Sequence, residues 1–335
     1  MNDNDNKAWE QEIARKIAVD LKTRFGRSVS EAAPIDKGWL NVKWKMATDQ
    51  GPAFVKHYHP DRYKLHASPE RRSAIERSLQ LQHRLSLAGI PCPKVSHDGA
   101  SFMQQTPSGL FYAVHDWVEG QTAEAGHLND AQMFALGEAT GRMHRWLRAE
   151  APTGQLSWRP DKAAYGREWQ INWNKAEESA DHTVMEWLRR SRATIESLDF
   201  ARFEQCKAGW LHWDLWVDNI VLHARGVAGI VDFDRMAFAY PEIDIARAVL
   251  SGALRDGHMR LFEAQAFMDG YRGHAEAPRG ILSRSLRLLY VIESGWWLRT
   301  EVRRDSELTG LLARFVEEMH WLEDHWDSLE ELDAL

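Results

Sequence analysis

The stretch Trp210–Arg235, WLHWDLWVDNIVLHARGVAGIVDFDR, sets His212, Asp214, Asp218, Asn219, Asp232 and Asp234 around two short apolar runs. Ile220–His223 and Val227–Val231 are β-type runs, and Ala224, Arg225 and Gly226 between them have the length of a hairpin turn. Folding about Arg225 predicts Asn219 opposite Val231 and beside Asp232. Paired strands lie about 5 Å apart, so an amide oxygen and a carboxylate at the open end of a hairpin reach one ion. All-oxygen ligation with room for water and phosphate oxygens suits Mg2+, whereas zinc would want His or Cys. Asp214, five residues before Asn219, is expected at the same edge, where a carboxylate can accept a proton from an attacking hydroxyl.

Upstream, the apolar period changes along the chain. Ile13, Ile17, Val19, Leu21 and Phe25 recur roughly at helical spacing, which predicts a helix over Ala8–Phe25. Val42, Trp44 and Met46 alternate, a turn follows at Asp49–Gly51, and Ala53–Tyr58 reads as the second strand of a hairpin. Ser68, Pro69 and Glu70 supply an N-cap, a first-turn proline and a first-turn acid, and Gly89 and Pro91 a stop, for a helix over Ser68–Ala88. FMQQTPSGLFYAVHDWVEG, Phe102–Gly120, reads as another hairpin. Beyond it lie a helix over Asn129–Arg148, an insertion-like Trp-containing region to about Cys206, and helical patterns after the quoted stretch. Strands with one helix, then helices around one hairpin, predict an α+β two-lobed protein rather than alternating βαβ units. The expected lobes are residues 1–116 and 117–335.

Composition narrows the function. A formal charge of −7, from 42 basic and 49 acidic residues, argues against a dedicated nucleic-acid binder. Cys92 and Cys206 are too few for a cysteine zinc cage or a secreted disulfide framework. The polar N-terminus and the lack of a long apolar run predict a cytoplasmic protein with no membrane partner.

HWDLWVDN resembles the His-x-Asp-x-x-x-x-Asn catalytic loop, and VDFD the Asp-Phe-Gly metal motif, of kinase-fold phosphotransferases. The thirteen-residue step from Asn219 to Asp232 is similar to theirs. YPEIDIARA resembles the segment that follows in the aminoglycoside phosphotransferase and choline kinase-like family, and the Leu-Trp pair in the loop resembles the fructosamine kinases. The resemblance implies a protein-kinase-like two-lobed fold, with ATP and Mg2+ used to phosphorylate a hydroxyl of a small molecule. It implies Asp214 as catalytic base, Asn219 and Asp232 as Mg2+ ligands, His212 as a brace of the loop, and Asp244 as support from below. The N-lobe would bind the nucleotide: Lys56 would meet the phosphates beneath a loop containing Gly38, and backbone groups of Asp116 and Val118 would meet adenine. Glu76 would orient Lys56, although the family's acid aligns nearer Ser78. Two departures stand out: Trp213 sits where the small-molecule kinases usually carry Gly, and Asp234 where protein kinases carry Gly.

The resemblance implies an acceptor between the catalytic loop and the C-lobe helices, which makes Asp214, Trp216, Asp218, Asp234, Trp296, Trp297 and Glu301 the relevant residues, an acidic, indole-rich set that predicts an amino-bearing or cationic alcohol. Arg299, Arg303 and Arg304 would instead favour a carboxylate. No Ala-Pro-Glu follows VDFD, which argues against a protein acceptor. The rival readings are a fructosamine-kinase-like enzyme, a non-catalytic nucleotide-binding or coat-type protein that kept the fold, and a metal hydrolase using the same acids. His144 reads as a helix-packing histidine.

Overall fold

The computed structural model describes residues 3–35, 41–224, 226–305 and 308–335. Two units emerge: Met1–Gly120 with Ala228–Arg235, and Gln121–Val227 with Met236–Leu335. The first segment of the first unit ends at Gly120, within the Asp116–Gly120 stretch where the lobe boundary was expected, and the end of the quoted stretch belongs with that unit. The reason is local. Ile230 donates its N–H to the Pro91 carbonyl at 2.8 Å, and Phe233 is buried.

The first unit contains α1 (Asp3–Phe25), β1 (Val29–Pro34), β2 (Asn41–Thr48), β3 (Ala53–Tyr58), α2 (Pro60–Tyr63), α3 (Pro69–Leu87), β4 (Gln104–Gln105) and β5 (Phe111–Asp116). The strands form one antiparallel sheet in the order β1-β2-β3-β5-β4. Period-2 alternation gives the sheet two apolar faces. Trp44, Met46, Val55, Tyr112 and Val114 pack with Ile13, Ile17 and Leu21 of α1. Tyr58, Phe111 and Ala113 pack with Ile75 and Leu79 of α3. α3 starts where its cap predicts: Ser68 Oγ accepts the Arg71 N–H at 3.3 Å. β1 was not expected; it is a half-exposed edge strand of small and polar residues, with a register shift between Val29 and Glu31.

The second unit contains β6 (Gln121–Thr122), α4 (Asp130–Glu150), α5 (Lys162–Glu178), α6 (His182–Ser197), β7 (Gly209–Leu211) and β8 (Ile220–His223). β9 (Gly226–Ile230) carries the chain into the first unit, and β10 (Ala237–Ala239) returns it. Helices α7 (Glu242–Ala253), α8 (Leu261–Arg272), α9 (Ile281–Trp297), α10 (Thr300–Arg304) and α11 (Thr309–Asp324) follow. The insertion-like region is thus a pair of helices, and Trp169 and Trp173 of α5 stack at 5.2 Å. α4 opens with a capping box between Asn129 and Gln132. It crosses α8 at close approach: a Cβ on Gly137 would lie 2.0 Å from the Phe267 carbonyl, and one on Gly270 2.2 Å from the Phe134 carbonyl. Among the described residues no helix is long and apolar enough to cross a membrane.

Candidate active site

In the first unit, β3 presents Lys56 on the α3 side of the sheet, in register with Lys43 of β2 and Ala113 of β5. Lys56 is buried, and its Nζ donates to Asp232 Oδ1 at 2.6 Å and to Asp234 Oδ2 at 2.8 Å. Burial opposes the ammonium form; the two carboxylates outweigh it and raise the Lys56 pKa. Lys43 feels burial first and the Lys56 charge next, and its pKa is lowered. Asp232 itself has a left-handed backbone, φ +65°.

The expected pairing of Glu76 with Lys56 does not form. Glu76 accepts the N–H groups of Phe102 and Met103, each at 2.8 Å, so its carboxylate is spent on a turn before β4. Ser78 donates to the Ala74 carbonyl within α3. Gly38 lies outside the described residues. Asp116 ends β5 with its N–H given to the Lys94 carbonyl at 2.9 Å. Val118 follows and packs over Gly229 of β9, where a Cβ would lie 3.1 Å from Val118 Cγ1. The segment expected to meet adenine therefore touches the strand that leads to Asp232.

In the second unit, the loop after β7 is clamped by one buried carboxylate. Asp244, at the start of α7, accepts the N–H of His212 at 2.7 Å and that of Trp213 at 2.9 Å. His212 is fully buried, and its Nδ1 accepts the Asp214 N–H at 3.2 Å. Leu215, Trp216 and Val217 are buried, and Val217 donates its N–H to Ser251 Oγ at 3.1 Å, so Asp214 is held on both flanks. Asn219 Nδ2 donates to the Asp214 carbonyl at 2.8 Å and lies 3.3 Å from Asp214 Oδ2. Both partners are acceptors, which fixes the amide orientation and turns Oδ1 away from Asp214. His144, read as a helix-packing histidine, is buried between helices and also supports this loop. Its Nε2 lies 3.1 Å from Asp244 Oδ2 and its Nδ1 3.1 Å from the Tyr271 hydroxyl, linking α4 and α8 to the loop.

Taken each within its own unit, the Asp232 carboxylate and the Asn219 amide oxygen are hard-oxygen donors of the kind that suits Mg2+. Among the described residues no group of three or more His, Cys, Asp or Glu forms a metal cage.

The expected acidic, indole-rich set is more neutral than its composition. Asp218 pairs with Arg314 at 2.7 Å, and Glu301 with Lys175 at 2.6 Å. Trp216 has Arg247 at 5.3 Å and Arg314 at 5.8 Å from its ring. Trp297 is buried and stacks on Phe315 at 4.0 Å, whereas Trp296 is 46% exposed beneath Arg299. Adjacent helix positions point apart by about 100°, which separates the two indoles.

The model of the APH phosphotransferase enzyme family matches residues 31–280. Homoserine kinase of Allorhizobium ampelinum is 28% identical over 196 residues, covering 58% of this chain and 58% of that protein. Homoserine kinase of Sinorhizobium medicae is 27% identical over 228 residues, covering 66% of this chain and 64% of that protein. The chain thus matches less than two thirds of the length of these relatives. Among solved structures, the GDP complex of an aminoglycoside 2'-phosphotransferase-IIIa mutant aligns with TM-score 0.62 at 14% identity, covering 92% of this chain and 97% of that one. An amicoumacin kinase in complex with AMP-PNP and Ca2+ aligns with TM-score 0.58 at 16% identity, covering 94% and 96%. The fold is protein-kinase-like, and the extent of the family match, together with the His212–Asn219 loop and the Val231–Asp234 motif inside it, establishes that this chain belongs to the phosphotransferase enzyme family.

Proposed function

We propose that this protein is an ATP- and Mg2+-dependent kinase that phosphorylates a hydroxyl of a small, amino-bearing molecule. The observation that carries the reading is the Asp214 loop. A carboxylate is held by its neighbours on both sides, tethered to Asn219, and clamped through His212 and Trp213 by the buried Asp244. A positioned carboxylate of this kind accepts the proton of an attacking hydroxyl.

In this reading the acceptor oxygen forms a bond to the γ-phosphorus, the bond from that phosphorus to the β,γ-bridging oxygen breaks, ADP leaves, and the hydroxyl proton passes to Asp214. Lys56 steadies the phosphates, and the backbone of Asp116 and Val118 meets adenine. By the family resemblance Asn219 and Asp232 would hold Mg2+, which would supply charge neutralisation to the phosphates. His212 keeps the loop in shape.

The acceptor class is supported by the names of the relatives. Homoserine, the aminoglycosides and fructosamine, the last from a Thermobifida fusca fructosamine-3-kinase of the same fold, are all alcohols that carry an amino group. An ATP-consumption screen of amino-bearing and purely anionic hydroxyl compounds at low and high salt tests it. Turnover confined to anionic compounds without an amino group would refute the acceptor class. Phosphoester hydrolysis without ATP would refute the kinase reading itself.

A further inference from the structure

Lys56 lacks the helix carboxylate expected to aim it, because Glu76 is committed to the N–H groups of Phe102 and Met103. A buried ammonium opposite a second lysine needs a fixed counter-charge, because like charges directly opposed across a strand pair repel. Two carboxylates are in contact with it, and they differ in how they are held. The Asp232 side chain is 33% exposed, on a left-handed backbone. That of Asp234 is 5% exposed.

We propose that Asp234 is the positioning residue for Lys56, a carboxylate locked in place by Tyr58 and Tyr63 that keeps the ammonium aimed when Asp232 is engaged by a cation. The proposal rests on the kinase reading above and assigns a role to the residue at which this chain departs from the Asp-Phe-Gly pattern.

Both oxygens of Asp234 are occupied. Tyr58 donates its hydroxyl to Oδ1 at 3.2 Å; Oδ2 takes Lys56 Nζ at 2.8 Å and the Tyr63 hydroxyl at 3.3 Å. The lock extends further, since Asn41 Nδ2 donates to the Tyr63 oxygen at 3.0 Å and the two tyrosine rings pack edge to face at 5.1 Å. Tyr58 and Phe233 are buried, so the carboxylate is anchored by one buried neighbour in sequence and one in space. All of these residues belong to the first unit. Glycine at position 234 would leave Lys56 to Asp232 alone, and the same carboxylate would then have to serve both ammonium and metal. With Asp234 present the two duties are divided. Asp232 can turn to a hard cation while Lys56 keeps one ion pair and directs its remaining donors to phosphate. Asp234 also offsets the charge of Lys43, which faces Lys56 in register.

The test is the affinity of the full chain for a non-hydrolysable ATP analogue with Mg2+, measured by calorimetry. Asp234→Asn is expected to weaken binding about 10-fold, the scale of one charge-assisted hydrogen bond, and Asp234→Glu to recover part of it. The Asp234→Asn, Lys56→Met double variant is expected to bind no worse than Lys56→Met alone, because Asp234 acts through Lys56. Additive losses in the double variant overturn the proposal, as does an Asp234→Asn protein whose Mg2+ midpoint shifts as far as that of Asp232→Asn, which would make Asp234 a metal ligand. Should Asp234→Asn fail to fold, Tyr63→Phe decides: about 3-fold weaker binding is expected from losing one anchoring hydroxyl, and wild-type affinity overturns the proposal. A wild-type chain that binds no nucleotide at all is a separate result, which refutes the kinase reading before any variant is compared.

Discussion

Asp244 holds Trp213 in a backbone conformation that a tryptophan rarely adopts: its Oδ1 accepts the Trp213 N–H at 2.9 Å while φ of Trp213 is +69°. A left-handed non-glycine residue costs about 1–2 kcal/mol. Here the carboxylate below the loop offsets that cost, and the indole lies within reach of Trp158 and the Arg247 guanidinium, at 6.5 Å and 5.9 Å.

Asp244→Ala is therefore expected to destabilise the protein by about 3 kcal/mol or more, since the N–H groups of His212 and Trp213 and the imidazole of His144 lose one shared acceptor. Trp213→Gly should change stability by less than about 1 kcal/mol, because relief of backbone strain opposes lost ring contacts. Urea unfolding of the two variants checks this. Similar losses in both would show that the indole, not the carboxylate, holds the loop.

Asp214→Asn and Asp232→Ala are expected to fail differently. The first should lose roughly 10²-fold or more in transfer rate while keeping nucleotide affinity, because it removes the carboxylate proposed as the base. The second should lose Mg2+-dependent transfer together with metal affinity, yet stay folded, because Lys56 keeps Asp234. Calorimetry with an ATP analogue and a coupled assay separate them; equal loss of binding in both would break the division of roles.

Burial holds the imidazoles of His57 and His115 neutral, with pKa values lowered from 6.5 to about 4 and about 3, the second aided by the Lys56 charge. The unfolded chain takes up protons below about pH 6.5 that the folded one refuses. Their contribution is complete above that pH and is lost as pH falls toward the folded values, at up to about 1.4 kcal/mol per pH unit for each group. Glu318 acts in the opposite sense: burial raises its pKa from 4.5 to about 8, so its contribution is full below pH 4.5 and is lost as pH rises to 8. Melting curves from pH 4 to 8 should show His115→Gln flattening the acid side and Glu318→Gln the alkaline side. Slopes unchanged from wild type would contradict both assignments.

Gly137→Ala should cost about 1–3 kcal/mol, the usual penalty of overpacking, since its methyl would meet the Phe267 carbonyl across the α4–α8 crossing. Gly166→Ala, on α5 with open space around it, should be neutral or mildly stabilising. Thermal unfolding of the pair provides the comparison, and equal effects would place the crossing further apart than described.

Where one residue type at one spacing sufficed, the sequence alone determined the outcome. Ser68 with Pro69 marked the start of α3, alternation at Trp44 and Met46 marked β2, and the motifs around Asp214 and Asp232 announced the family that the comparisons establish. These are local signals: a cap acts over three residues and a strand alternates every two. The tertiary structure decided which charges meet. Glu76 lies on the helix expected to face Lys56, but two backbone donors reach it first, and Asp234, distant in sequence, takes its place beside the ammonium. The acids counted toward a cationic pocket proved to be paired, Asp218 with Arg314 and Glu301 with Lys175. β1 went unseen for a related reason, because its partner β2 supplies the pattern that its own small residues lack. Periodicity and capping are written in neighbours along the chain; ion pairing depends on distances across it, and those exist only once the elements have packed.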